Sequence, residues 1–202
     1  MSALLSPPLG DYEVLLRQVI YEMIEERPIF YKNFAQVLIG KKKPEDIMGS
    51  SGLQAAIIAA IIDYLYENMD RKKYKYYTGE VGFNLKKGTN LACDLVIFDK
   101  DKVAEIKFDD KYLKIPPKIV IEVDTKADVG SFVQPEDYYR IKTEKLLDFG
   151  VEKIIWYFTA DRKVTVATAE EIKSLNWEEE INILKNLNLS LGELLEKEGI
   201  WF

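Results

Sequence analysis

The chain has 202 residues, 48% of them apolar and 31% charged, with 11 Gly and 7 Pro, which predicts one domain with a substantial core and excludes disordered and fibrous classes. It carries a net charge of -6 and no histidine, which removes Ser-His-Asp and Cys-His triads, HExxH metalloproteases and His-mediated proton transfer in one step. Cys93 is the single cysteine, so an internal disulfide and a Cys-rich zinc site are excluded and a reducing cytoplasm is the expected setting.

In chain order, Ser6-Pro7-Pro8 precedes an amphipathic helix expected over Asp11 to Glu26, with Tyr12, Leu15, Leu16, Val19, Ile20 and Met23 at helical spacing and Pro28 closing it. A second helix is expected from Ser51 to Met69, with a stripe of Leu53, Ala56, Ile57, Ala60, Ile61, Tyr64 and Leu65. Within it Ala55 to Ile62 is the longest apolar run, far below the roughly 20 residues of a membrane span, and the N-terminus has no basic-then-apolar leader, so a soluble, untargeted protein is expected. The period then changes to 2. Tyr74 to Leu85 and Leu91 to Phe98 read as a hairpin with a five-residue loop, Lys86 to Asn90, and Val103 to Phe108 as a short third strand. Lys118 to Asp124 has the apolar centre Ile119-Val120-Ile121 of an interior strand. A helix from Pro135 to Phe149, with Gly150 as its left-handed C-cap, leads to a buried strand from Lys153 to Thr159. Asp161-Arg162 turns the chain into Lys163 to Ala167, and Ser190 with Glu193 forms a capping box for a last short helix. The order of elements indicates an α/β or α+β domain with a mixed sheet. Residues 1–49 read as a helical extension, 50–168 as the core, and 169–202 as a C-terminal segment whose Ile200-Trp201-Phe202 is assigned to the core.

Charge is unevenly distributed. Arg71 to Lys118 holds 12 basic and 7 acidic residues, whereas Ala169 to Phe202 holds 3 basic and 8 acidic. Within the basic stretch, strand alternation puts Asp94 on one face with Ala92, Val96 and Phe98, and on the next strand Glu122 and Asp124 share a face with Val120. Ionised carboxylates on buried strands cost several kcal/mol each, on the order set by desolvation, unless a cation or hydrogen bonds compensate. Two compensating partners fit: a hard divalent cation such as Mg²⁺, or a lysine. Lys142 falls in line with Tyr138, Leu146 and Phe149 on the core-facing stripe of its helix, and Lys145 lies on an adjacent part of that face. Glu80 alternates away from Val81 and Phe83 and reads by pattern as a solvated side chain.

The segments Leu91-Ala92-Cys93-Asp94-Leu95-Val96-Ile97 and Pro117-Lys118-Ile119-Val120-Ile121-Glu122-Val123, then Lys142 followed by Gly150-Val151 and the Trp156 strand, resemble the Uma2 family of restriction-endonuclease-like proteins. That family is a branch of the PD-(D/E)xK nuclease superfamily, and the resemblance covers roughly residues 50 to 160. It implies a restriction-endonuclease-like core in which Asp94 is the Asp of the PD motif, Glu122 the acid of the next strand, Glu80 the acid before the hairpin, and Lys142 the lysine moved onto the following helix. It further implies Mg²⁺ or Mn²⁺ held by Asp94 and Glu122, aided by Asp124, and DNA as substrate, while Lys145 stays the second candidate for the lysine beside the acids. Lys142 would orient the attacking hydroxide and stabilise the transition state. Lys72, Lys73, Lys86 and Lys87 would follow the DNA backbone, and a two-fold dimer would supply two sites for two strands. Cys93 replaces the motif's Pro, Asp124 stands where the ordinary superfamily motif has its lysine, and Thr125 where Uma2 proteins often have Ser. The second helix lacks the family's histidine near its start and carries Gln54 there. The alternatives from other classes are a nuclease fold that binds DNA or protein without cutting, and a structural dimer whose acids are satisfied by lysines.

Overall fold

The computed structural model describes residues 9–104, 106, 108–132 and 134–202. Its frame is an eight-stranded mixed sheet in the order β2-β1-β4-β5-β6-β7-β8, with β3 paired along β4, and a separate two-stranded ribbon, β9 with β10. The strands are β1 (Ile20–Ile24), β2 (Arg27–Phe30), β3 (Tyr74–Lys86), β4 (Thr89–Asp99), β5 (Ile119–Val123), β6 (Lys153–Phe158), β7 (Lys163–Ala167), β8 (Ile172–Asn176), β9 (Ile181–Leu184) and β10 (Leu187–Leu189). The helices are α1 (Leu9–Gln18), α2 (Phe34–Leu38), α3 (Glu45–Met48), α4 (Gly52–Asn68), α5 (Lys100–Val103), α6 (Pro135–Phe149) and α7 (Leu191–Lys197).

Strands with apolar residues on both sides must be covered on both faces, and β5 is buried at all five positions. On one face Ile57, Ile61 and Leu65 of α4 and Leu191, Leu194 and Leu195 of α7 pack on Leu95, Ile97, Ile119, Ile121 and Val123. On the other, Tyr138 and Leu146 of α6 pack on Val96, Phe98, Val120, Ile154 and Trp156. β5 runs parallel to β6 and antiparallel to β4, so α6 is the crossover that a parallel pair requires. Pro135 opens α6, and Gly150 ends it at φ 109, where only glycine is unstrained.

Several sequence expectations are corrected. The first helix stops at Gln18, and Ile20 to Phe30 instead forms the β1–β2 hairpin. Its two-residue turn is Glu25-Glu26, both left-handed at φ 52 and 67, a conformation normally signalled by Asn-Gly. The β3–β4 loop is not five residues but Lys87-Gly88, because β3 extends to Lys86 and β4 begins at Thr89. These two turns dock: Glu26 N donates to Gly88 O at 2.8 Å and Glu25 N to Thr89 Oγ1 at 3.1 Å, and a Cβ at Gly88 would meet Glu26 Cγ at 2.6 Å. The expected strand at Val103 to Phe108 is absent among the described residues, Val103 instead ending α5, while Glu105 and Lys107 lie outside them, as does Ser6-Pro7-Pro8. The C-terminal segment adds β8, β9 and β10 to its helix. Ile200 packs on the core, but Trp201 and Phe202 are 74% and 55% exposed rather than buried.

Candidate active site

The site lies where the sheet splits. β4 gives one edge to β3, and shares the other between β5, which pairs at Leu95 to Ile97, and β1, which touches it at Asn90. Between those contacts Ala92, in register with Gly82 of β3, has no strand beside it on this edge, and buried backbone groups must find a partner. Glu22 Oε1 accepts from Ala92 N at 2.9 Å, and Lys142 Nζ donates to Ala92 O at 2.7 Å.

Lys142 is fully buried, with Glu22 Oε1 at 2.8 Å and Glu122 Oε1 at 3.0 Å. Ala92 O takes one of its protons as a hydrogen bond, and the two carboxylates are its ion-pair partners. The rings of Tyr21, Tyr138 and Trp156 surround it at 5.5–5.9 Å. Burial on its own would drive the ammonium's pKa down, but Glu122 and Glu22 together outweigh it and hold Lys142 well above the ordinary lysine value. The other Glu22 oxygen accepts from Tyr138 Oη at 2.8 Å.

Glu122 is 2% exposed and its pKa is pushed up to about 8 by burial, against the pull of Lys142 and with further upward pressure from Asp94 and Glu22. Its Oε1 lies beside the ammonium but off the hydrogen-bond direction, so no donor properly satisfies it. Asp94 follows from the strand register: Leu95 pairs with Ile121, which puts Asp94 opposite Glu122, and opposite residues on antiparallel strands share a face. Asp94 Oδ2 accepts from Val123 N at 2.9 Å, and both carboxylate oxygens accept from Gln54 Nε2, at 3.2 and 3.4 Å. Burial raises the Asp94 pKa, opposed first by the Val123 N–H.

Other sequence-predicted residues are placed elsewhere. Asp124 does not share the face of Glu122. At φ 53 its backbone turns over, and the carboxylate accepts from Thr159 N at 2.8 Å and Thr159 Oγ1 at 2.6 Å, tying the ends of β5 and β6 together. Lys145 pairs with Glu25 at the surface and not with the buried acids. Glu80 is not simply solvated. It sits at φ 57 in a bulge between Thr78 and Val81 and forms an ion pair with Lys126. Lys72 and Lys73 stand just before β3 and Lys86 and Lys87 at its far end, roughly 40 Å apart along an extended strand of that length. Lys73 pairs with Asp70 and Lys86 with Glu25.

Glu22 and Lys126 escaped the sequence reading. Glu22 lay inside the expected helix, and the signal that could have found it is that Ile20, Glu22 and Ile24 alternate. Lys126 lines a cavity of about 640 Å³ together with Lys32, Ser51, Gln54, Asp124 and Thr159, and its charge acts on Asp94. Asp94 lies behind Gln54, and neither it nor Glu122 lines that cavity.

As donors for a metal, Asp94 and Glu122 offer hard oxygens. Glu22 and Glu122 lie beside the Lys142 ammonium and Asp94 lies opposite Glu122; burial raises the pKa of both Asp94 and Glu122, and a dication is the partner that would let both ionise. Among the described residues no group of three or more Asp, Glu or Cys is arranged around a common point, so the set is a two-carboxylate one, within the range Mg²⁺ uses when waters complete its shell. The Cys93 thiol is pushed up by burial and by neighbouring Glu122, which makes it unreactive.

No family model matches the chain, and no curated protein matches it. A solved structure does match: that of a "putative nuclease belonging to DUF820" from Anabaena variabilis ATCC 29413, at 14% identity and a TM-score of 0.63, over 87% of this chain and 89% of that one. The two share a fold. At this identity the likeness speaks for the mixed sheet and its flanking helices. Among the described residues no helix is long and apolar enough to cross a membrane.

Proposed function

We propose that the protein is a metal-dependent endonuclease that hydrolyses DNA phosphodiester bonds, with Mg²⁺ or Mn²⁺ held by Asp94 and Glu122. The observation that carries this reading is a pair of buried acids, Asp94 and Glu122, placed opposite each other on β4 and β5. Its support from outside the chain is the shared fold with a protein described as a nuclease and the resemblance of the Asp94, Glu122 and Lys142 segments to Uma2 proteins.

What a cation supplies there is Lewis acidity toward a phosphate oxygen and a lowered pKa for water. The chain's own residues do the rest. Lys142, buried beside Glu22, Glu122 and Ala92 O, offsets the charge of the acids from behind, instead of touching substrate. Lys126 faces the cavity and contacts a backbone phosphate once Glu80 yields it, with Lys32, whose backbone N–H donates to Lys126 O, beside it. Lys72, Lys73, Lys86 and Lys87 follow the backbone on either side, and a homodimer supplies the second site that cutting both strands needs.

A second reading, a nuclease fold that binds nucleic acid or protein without cutting, is favoured by one observation: Asp94, Glu122 and Lys142 are at most 5% exposed. Incubating supercoiled plasmid and single-stranded DNA with the protein in Mg²⁺ or Mn²⁺ separates the two. Cleavage that chelator stops and that Asp94→Asn and Glu122→Gln lose supports the enzyme. DNA binding without cleavage, unchanged in both variants, supports the second reading.

A further inference from the structure

Gln54 occupies the third position of α4, and its placement is fixed by the helix cap, where Ser51 Oγ accepts from Gln54 N at 3.1 Å. Its side chain, 6% exposed, forms part of the wall between the 640 Å³ cavity and the buried acids. Nε2 lies 2.9 Å from Val123 O and 3.2 and 3.4 Å from Asp94 Oδ2 and Oδ1. A side-chain amide nitrogen has two protons, and here it meets three oxygens, one a carbonyl and two from a carboxylate. Oxygens converging on a donor they outnumber, beside a second buried acid, are the surroundings a cation takes.

We propose that the Gln54 amide is a stand-in for the cation: Nε2 fills the cradle formed by Asp94 and Val123 O in the metal-free protein, and the ion enters from the cavity by displacing it. This rests on the cation site proposed above and adds its control. Gln54 keeps the apo acids hydrogen-bonded, so the ion must compete with the amide for the same oxygens, and cation affinity is set lower than the acids alone would give. The same displacement opens the wall between Asp94 and the cavity, so that loading the ion and exposing the site to substrate are one event.

The test is calorimetric titration with Mn²⁺ of the wild type, Gln54→Ala and Gln54→Met, each also carrying Asp94→Asn. A hydrogen bond to a charged acceptor lost only from the apo state corresponds to roughly a tenfold or greater gain in affinity. The expected result is therefore one Mn²⁺ per chain, bound at least about tenfold more tightly by Gln54→Ala and lost with Asp94→Asn. Gln54→Met, close in shape but without the amide, decides by the same criterion if Gln54→Ala fails to fold. Equal or weaker binding by the Gln54 variants, with wild-type binding still dependent on Asp94, overturns the displacement and leaves the site standing. No binding by any of them at millimolar Mn²⁺ overturns both.

Discussion

The ammonium of Lys142, on α6, lies 2.8 Å from the carboxylate of Glu22, on the β1–β2 hairpin, and neither side chain is exposed. This pair joins the N-terminal hairpin to α6, and both side chains bond Ala92 in the gap that β1 and β5 leave along β4. Removing one partner of a buried pair strands the other charge, which costs about 3–5 kcal/mol. Lys142→Met is therefore expected to lose about that much stability in urea unfolding, and Glu22→Gln combined with it to recover part of the loss, because the stranded charge is gone.

The pH dependence follows from Glu122. Its pKa is about 8 in the folded protein against an ordinary 4.5, so between those values the folded state holds a proton that the unfolded state has released. Stability attributable to this group is fully present below about pH 4.5 and is lost as pH rises through about 8. Asp94, raised in the same direction, adds the same sign. Lys142 stays protonated in both states across this range and contributes no slope. Denaturation midpoints in chelator are expected to fall from pH 5 to pH 8.5, and Glu122→Gln to flatten that fall.

Asp124 separates this account from one in which three acids share the metal. Its carboxylate is committed to Thr159, so Asp124→Ala is expected to cost about 1.5–3 kcal/mol of stability, the range for losing hydrogen bonds to a charged group, while Mn²⁺ affinity is unchanged. A loss of Mn²⁺ binding in a folded Asp124→Ala would place that acid in the metal site.

Much of this was legible in the sequence, and the remainder was hidden for identifiable reasons. Ile119-Val120-Ile121 marked β5, Pro135 and Gly150 bounded α6, and the acids on β4 and β5 stood out because carboxylates are rare on buried strands. The β1–β2 hairpin was obscured because its buried face carries Glu22 where an apolar residue would have shown the alternation, and because its turn is Glu-Glu. β8 is almost wholly exposed and shows no pattern of period 2. Asp124 was misplaced because strand alternation assumes an extended backbone, and its left-handed φ breaks that assumption at the end of β5.

In the proposed site Asp94 and Glu122 together hold one divalent cation. The most direct measurement is the number of Mn²⁺ ions bound per chain in the wild type, Asp94→Asn, Glu122→Gln and Asp124→Asn, with circular dichroism confirming that each is folded. One ion is expected in the wild type and in Asp124→Asn and none in the other two. One ion retained by folded Asp94→Asn and Glu122→Gln would contradict that assignment.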